Sequence, residues 1–445
     1  MRIGFWFRRD LRTQDHEALN HAAGYAQEIS PVFVFAENFQ HLSPIRQHSL
    51  IESVRSLSGS LPKGLSIRSG NVATQLASFA SERNLNRIVA TRAFDTNGML
   101  EQAAVAEALF SIGVGLELIG SYYAIEPGTV RKDDGTPLRV YTPFYKRWLN
   151  HHFPHPFSLD LTSVDWSESD GEYPSASASA PFKIVASESF ALETFSKFKK
   201  RALNNYSEGR NRTDLSGTSH LSHALAHGEI HPRTLLAQLG DSSGEEVFRK
   251  ELVWREFYAD VMFHNPHTYD DYFEPRFAKM RYENPQDNPL LEAWYQGKTG
   301  YPMVDAAMRQ LLTTGWMHNR ARMIVASFLV KDLHIEWQVG AKWFERWLTD
   351  FDPASNSHGW QWTAGCGTDA SPYYRVFNPV LQGYKFDPNG DFVRKYIPEL
   401  RHVPGPEVHE PWKLIDGLSG GYPAPILDHH AERDESLARL EEIKL

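Results

Sequence analysis

Two hydrophobic periodicities divide this chain of 445 residues. Residues 2–7 (RIGFWF) and 31–36 (PVFVFA) are short, nearly continuous apolar runs, and 65–68, 87–90 and 115–119 supply three further strand candidates. Helix-compatible segments at 15–27, 72–83 and 102–112 lie between or beside them. Buried strands alternating with crossover helices predict an open parallel sheet. From about 120 to 183 the pattern loosens, with several prolines and a Ser/Ala alternation at 175–180. Such a stretch reads as a connection between domains, partly ordered by YTPFYKRW at 141–148. Beyond it, amphipathic periodicity takes over at 190–205, 219–226, 245–263, 303–313, 319–330 and 340–348, and β-branched alternation is scarce. A charged helix is expected at 432–444. The predicted architecture is an α/β N-terminal domain (1–130, a Rossmann-like open sheet), a connection (131–185) and a mainly α-helical domain (186–445).

Composition narrows the class. With 41% apolar and 23% charged residues the chain is an ordinary folded protein. Cys366 is the only cysteine, which excludes an intrachain disulfide and a multi-cysteine metal site. Charge at residues 8–10 comes too early for the apolar core of a signal peptide, and no run approaches the ~20 apolar residues of a membrane span. A reducing, cytoplasmic setting is expected. The net charge of -9 argues against loose coating of nucleic acid but leaves room for a local basic patch. Ile3-Gly4-Phe5 is followed by no second and third glycine at the required places, which argues against the usual NAD site.

Candidate chemistry concentrates at 349–378, TDFDPASNSHGWQWTAGCGTDASPYYRVFN. Two acids (Asp350, Asp352), an amide (Asn356) and Trp360-Gln361-Trp362 suit a buried planar cofactor or an extruded base; a core helix with its loop is the plain alternative. Glu251, Trp254, Arg255 and Tyr258 share one helical face, as do Asn319, Arg322 and Met323. Arg320 points elsewhere, to solvent or phosphate. Thr218, Ser219, His220, Leu221 and Ser222 open a helix with hydroxyls and N–H groups able to hold phosphate, and Tyr206 and Arg210 lie four apart upstream. His220, His223, His227 and His231 recur among 20 histidines, but without acids or cysteines at fixed spacing they do not predict a metal site.

Long motifs then carry a resemblance. GKTGYPMVDAAMRQL (297–311), TGWMHNRARMIVASFLVKDL (314–333) and NSHGWQWTAGCGTDASPYYRVFNP (356–379), with RRDLR (8–12), VYTPFYKRW (140–148) and LVWREFY (252–258), resemble the DNA photolyase/cryptochrome family, in particular bacterial class I cyclobutane pyrimidine dimer photolyases. The resemblance covers nearly the whole chain and implies an antenna-type α/β domain followed by a helical domain binding FAD. It implies FAD contacts at Tyr206, Thr218, Ser219, His220, Leu221, Ser222, Arg255, Asn319, Arg322, Asp350, Asp352 and Asn356. Glu251, Trp254, Asn319, Met323 and Trp362 fall on positions that contact the flipped dimer, and Arg210, Arg320 and Arg375 on positions that contact the DNA backbone. Glu251 and Asn356 would act in the chemistry, and Trp337 and Trp360 are the inner two places of an electron relay to the flavin.

The implied activity is light-dependent splitting of pyrimidine dimers in UV-damaged DNA by an electron from excited reduced FAD, a carbon–carbon lyase reaction carried out by a monomer. A cryptochrome-type blue-light receptor signalling through flavin photoreduction is the alternative; the short segment beyond Pro425 and the retained lesion residues favour repair. Trp316-Met317-His318-Asn319 lacks the paired histidines of (6-4) photolyases. Three departures stand out. Asn284 occupies the outer relay place, with Tyr282, Trp294 and Trp316 as other exits. Glu101 aligns with the acid of folate-binding relatives but Leu100 stands where they have Asn, leaving methenyltetrahydrofolate and deazaflavin both open as a second antenna chromophore. His220 replaces the family's common Arg, so phosphate there would rest more on backbone N–H groups.

Overall fold

The computed structural model describes residues 1–180, 182–369 and 374–444; residues 370–373 of the 349–378 stretch lie outside the described residues. Six strands form one sheet: β1 (Arg2–Phe7), β2 (Glu28–Ala36), β3 (Ser66–Gly70), β4 (Arg87–Thr91), β5 (Gly115–Ile119) and β6 (Asp165–Trp166). The order is β3-β2-β1-β4-β5, all parallel, with β6 adding to β2 through Glu28↔Asp165 and Ile29↔Trp166. The strands read as unbroken apolar runs because both faces are covered. Phe5, Phe7, Phe33 and Phe35 enter one core, whereas Trp6, Val32, Val34 and Ala90 enter the other. That is the period-two alternation of a pleated strand.

Helices Glu17–Ala23, Val72–Glu82 and Thr96–Phe110 occupy the expected crossovers. Pro44–Ser60 was not anticipated, because its serines dilute the apolar stripe. Its start is nevertheless well specified: Ser43 Oγ accepts the Arg46 N–H, and Pro44 sits in the first turn. β6 also escaped the sequence reading, being two residues long in a loosely patterned segment.

The chain divides into two compact units, each assembled from three segments. The first is Met1–Asn204, Ser219–Pro266 and Thr349–Ala354; the second is Asn205–Thr218, His267–Leu348 and Ser355–Leu445. The first holds the sheet and the long helix Ser243–His264, opened by a capping box between Ser242 and Glu245. The second is helical, with Pro289–Gln296, Pro302–Thr314, Asn319–Lys331 and Trp337–Trp347 as its main elements. Gly297 and Gly315 end the first two in left-handed conformation, at φ 63 and 66. No described helix is long and apolar enough to cross a membrane.

Candidate active site

In the first unit the site residues are fixed by the end of β1 and by the helix Ser243–His264. The sheet order reverses between β1 and β4, which opens a crevice at their carboxyl ends. Asp10 closes part of it, accepting the Thr91 hydroxyl at 2.5 Å and lying 3.1 Å from His16 Nε2. Arg9 takes another direction. Its Nη2 donates to Asp352 Oδ2 at 2.5 Å and its Nε to the Ala226 carbonyl at 3.1 Å. Arg255 Nη2 stands 3.9 Å from the same Asp352 oxygen, while its nitrogens donate to the carbonyls of Tyr122 and Leu225 and its guanidinium covers the Tyr123 ring. Asp352 is therefore a buried acid held between two arginines. Sequence reasoning quoted RRDLR without assigning Arg9; the position of a conspicuous charge immediately after a buried strand was the available signal.

The segment 218–222 leads into a short helix, Ser222–His227. His220 has φ 53, a left-handed conformation uncommon outside glycine, and Leu221 N–H reaches Ser219 Oγ at 3.4 Å. His220 and Ser222 are exposed, and Leu221 is buried. The helix ends at Gly228, where φ is 70 and an added Cβ would meet the Arg9 carbonyl at 2.0 Å, so only glycine lets this turn approach the end of β1. His227 Nε2 and His223 Nδ1 lie 2.9 and 3.2 Å from the Thr349 carbonyl. Two of the recurring histidines thus hold the segment that carries Asp350 and Asp352. Among the described residues, no three or more His, Cys, Asp or Glu side chains are grouped to hold a metal ion.

Along Ser243–His264, Glu251, Trp254, Arg255 and Tyr258 are half-buried on the predicted shared face. The Trp254 indole stacks on Tyr141 at 3.7 Å and 5° between planes, and Tyr141 OH donates to the Lys250 carbonyl at 2.7 Å. Stacking of this kind holds an aromatic side chain in one orientation. Glu256, which periodicity alone did not mark, faces the other way. It accepts N–H bonds from Ala124 (2.6 Å), Ile125 (3.3 Å) and Trp148 Nε1 (2.6 Å), and burial pushes its carboxyl up to about 7. Asp260 does the same for Gly128 N–H at 2.7 Å, and burial pushes it up to about 6. These acids fasten segment 124–128 to the helix. Near β1, Glu101 is taken by Arg8 at 2.7 Å, and Leu100 is 67% exposed.

In the second unit, Asn319 opens the helix Asn319–Lys331, and His318 caps it by accepting the Arg320 N–H at Nδ1. Arg322 Nε donates to the Met317 carbonyl at 2.9 Å. Arg320 does not project freely. Its Nη2 donates to Asn211 Oδ1 at 2.7 Å, its guanidinium lies over Phe386, and Nη1 is 3.5 Å from Met323 Sδ. Arg210 lies over the ring of Tyr206, and Thr218 is half-buried. Arg375 is exposed, its carbonyl receiving Lys331 Nζ at 2.6 Å.

The predicted core-helix reading of the central stretch is met by Pro353–Ala364, and that helix also carries the chemical residues. Asn356 Nδ2 donates to the Ala341 carbonyl at 3.1 Å. Trp360 is buried with its ring against Gly340, where a Cβ would come within 2.1 Å of Cη2. Trp337 is one turn before Gly340 on the same helix and is also buried. Trp362 is half-buried and donates to the Asp369 carbonyl at 3.1 Å. Cys366 is fully buried, and burial pushes its thiol far up, so it is inert rather than nucleophilic.

Comparison with known proteins agrees over the full length. Residues 3–160 match the family described as DNA photolyase, and residues 248–442 match the FAD binding domain of DNA photolyase. A deoxyribodipyrimidine photo-lyase of Alkalihalophilus pseudofirmus is 35% identical, covering 97% of this chain and 96% of that one. The deoxyribodipyrimidine photo-lyase of Escherichia coli is 37% identical, covering 98% of each. The crystal structure of a bacterial class III photolyase from Agrobacterium tumefaciens superposes with a TM-score of 0.89 at 35% identity, covering 99% of this chain and 97% of that one. With both parts of the chain matched and relatives aligned from end to end, the chain belongs to the DNA photolyase family.

Proposed function

We propose that this protein is a deoxyribodipyrimidine photo-lyase that repairs cyclobutane pyrimidine dimers in UV-damaged DNA under light. The observation that carries the reading is full-length similarity to proteins of that name. The donor set suits FAD. The first unit offers Ser219, His220, Leu221, Ser222, Arg255, Asp350 and Asp352; the second offers Tyr206, Thr218, Asn319, Arg322 and Asn356. Arginines, hydroxyls and N–H groups match a pyrophosphate, whereas acids and an amide match the polar edge of a flavin. A bound reduced flavin supplies, on excitation, one electron that it later recovers.

The chain's own groups prepare for that exchange. Asn356 has Nδ2 engaged by Ala341, so its Oδ1 is the atom suited to accept a hydrogen bond from reduced flavin N5–H. Glu251 would hydrogen-bond the dimer carbonyl on which negative charge develops. Trp254, held against Tyr141, presents its other face for stacking, and Trp362, Met323 and Asn319 complete the lesion contacts. Arg210, Arg320 and Arg375 would contact phosphate and set the register of the strand. Residues 1–130 would act as an antenna-type domain, and the protein would work as a cytoplasmic monomer. The test is dimer splitting on irradiated oligo(dT) by purified, reduced protein under near-UV or blue light, with a dark control. Light-dependent splitting is expected; intact dimers despite bound FAD would leave the receptor reading in its place.

A further inference from the structure

The relay to the flavin ends, by family resemblance, at a position where this chain has Asn284, which is exposed and accepts the Gln286 N–H. The second unit holds another aromatic neighbour. Trp337 meets Tyr272 edge to face, with ring centroids 6.3 Å apart and planes at 85°. Tyr272 is 3% exposed, and its hydroxyl donates to Glu336 Oε1 at 3.0 Å. Glu336 directly precedes Trp337 and forms the N-cap of that helix, so the acid and the indole come as one element. The Tyr272 hydroxyl also interacts with Tyr282, half-buried and two residues from Asn284.

The decisive contrast is in the protons. The indole N–H groups of Trp337 and Trp360 are buried with no protein acceptor among the described residues. An oxidised Trp337 or Trp360 therefore remains a radical cation with no neighbouring base, and its electron deficit stays free to return. Tyr272 differs because a carboxylate waits at hydrogen-bond distance. Resting on the flavin-dependent reading above, we propose that Tyr272 is the terminal electron donor of the relay in this chain and that Glu336 accepts its proton.

The steps balance. Trp360 gives one electron to a photoexcited oxidised flavin, and Trp337 refills Trp360. Tyr272 then gives one electron to the Trp337 radical cation while its O–H bond breaks, and the proton bonds to Glu336 as a carboxylic acid. A neutral tyrosyl radical is left. Burial, with Tyr282 and Glu336 adding to it, holds the ground-state phenol protonated well above its ordinary range. The rival route starts at Trp294, whose ring is 6.3 Å from Trp360, but its indole N–H donates to the Val325 carbonyl, which cannot take the proton away.

The test is time-resolved absorption and trapped-radical EPR of flavin-bound protein during photoreduction, with natural and ring-deuterated tyrosine. A neutral tyrosyl signal that narrows on deuteration is expected in wild type, and it should vanish in Tyr272→Phe and Trp337→Phe. Glu336→Gln should slow its formation by at least about tenfold, at the low end of what a positioned proton acceptor contributes. Glu336→Gln keeps the side-chain shape and carries the test if Tyr272→Phe loses its flavin. Only tryptophan radicals in wild type, a tyrosyl signal surviving Tyr272→Phe, or one abolished by Tyr282→Phe alone would overturn the assignment. Dimer splitting by chemically reduced wild-type protein is measured separately. Failure there with the tyrosyl signal intact rejects repair and leaves the relay standing.

Discussion

At the level of single residues, the site combines groups that sequence marked with partners that it did not. Glu251, Trp254 and Arg255 were legible because a helix repeats every 3.6 residues and three of its four face positions carry unusual chemistry. Arg9 and Tyr141 were not, since their partners Asp352 and Trp254 lie more than a hundred residues away and no local period reports such contacts. Glu251→Gln keeps a hydrogen-bond donor but removes the acid, so repair should slow by about tenfold, equivalent to ~1.4 kcal/mol of transition-state stabilisation. The flavin absorbance per protein should stay near that of wild type. Loss of flavin in this variant would move Glu251 from the lesion to the cofactor. Gly340 offers a second check. Glycine to alanine within a helix ordinarily stabilises by about 1 kcal/mol. Here the methyl would sit 2.1 Å from Trp360, and overpacking of that kind costs about 1–3 kcal/mol. Gly340→Ala should therefore lower the melting temperature; a rise would mean that the Trp360 ring moves aside easily.

Elements were legible where their composition agreed with their environment. The parallel strands announced themselves because burial on both faces demands unbroken apolar runs, and the helices of the second unit announced themselves by amphipathic stripes. The helix Pro44–Ser60 did not, because six serines interrupt its stripe while its cap does the specifying. Ser243–His264 was seen, but only one of its two working faces was. The hidden face uses Glu256 and Asp260 to hold backbone N–H groups of 124–128, and that attachment depends on pH. In an unfolded chain a glutamate titrates near ~4.3, whereas burial raises folded Glu256 to about 7. Between those values the folded state retains a proton that the unfolded state has released. The associated stability is complete below the unfolded value and is lost as pH rises through the folded one. The loss attributable to Glu256 is at most roughly 3 kcal/mol. Glu256→Gln should flatten the decline in melting temperature between pH 5 and pH 8, and it should melt lower than wild type at pH 8, because one amide N–H₂ must then face an N–H donor. An unchanged slope in the variant would place the pH dependence elsewhere.

For the molecule as a whole, net charge and proposed ligand pull in opposite directions. A chain of net charge -9 gains nothing from its overall field when it approaches a polyanion, so affinity must come from a few placed cations. The three arginines assigned to DNA all lie in the second unit, but they are not equivalent. Arg375 is exposed, and its only printed bond is through the backbone carbonyl. Arg320 is built into the protein through Asn211, Phe386 and Met323, the last of which is assigned to the lesion. Removing a phosphate contact lowers the salt slope of binding by roughly 1 and weakens damaged and undamaged DNA alike. Arg375→Ala should behave in that way, leaving the ratio of damaged to undamaged affinity near its wild-type value. Arg320→Ala should lower that ratio as well, because Met323 loses the group packed beside it. Binding titrations at several salt concentrations, on irradiated and unirradiated oligo(dT), separate the two outcomes. If both variants change only the slope, Arg320 is a plain phosphate contact and its bond to Asn211 merely aims it. If Arg375→Ala leaves the slope unchanged, the DNA path does not cross this residue, and the charge that offsets -9 has to be sought at Arg210 and Arg320.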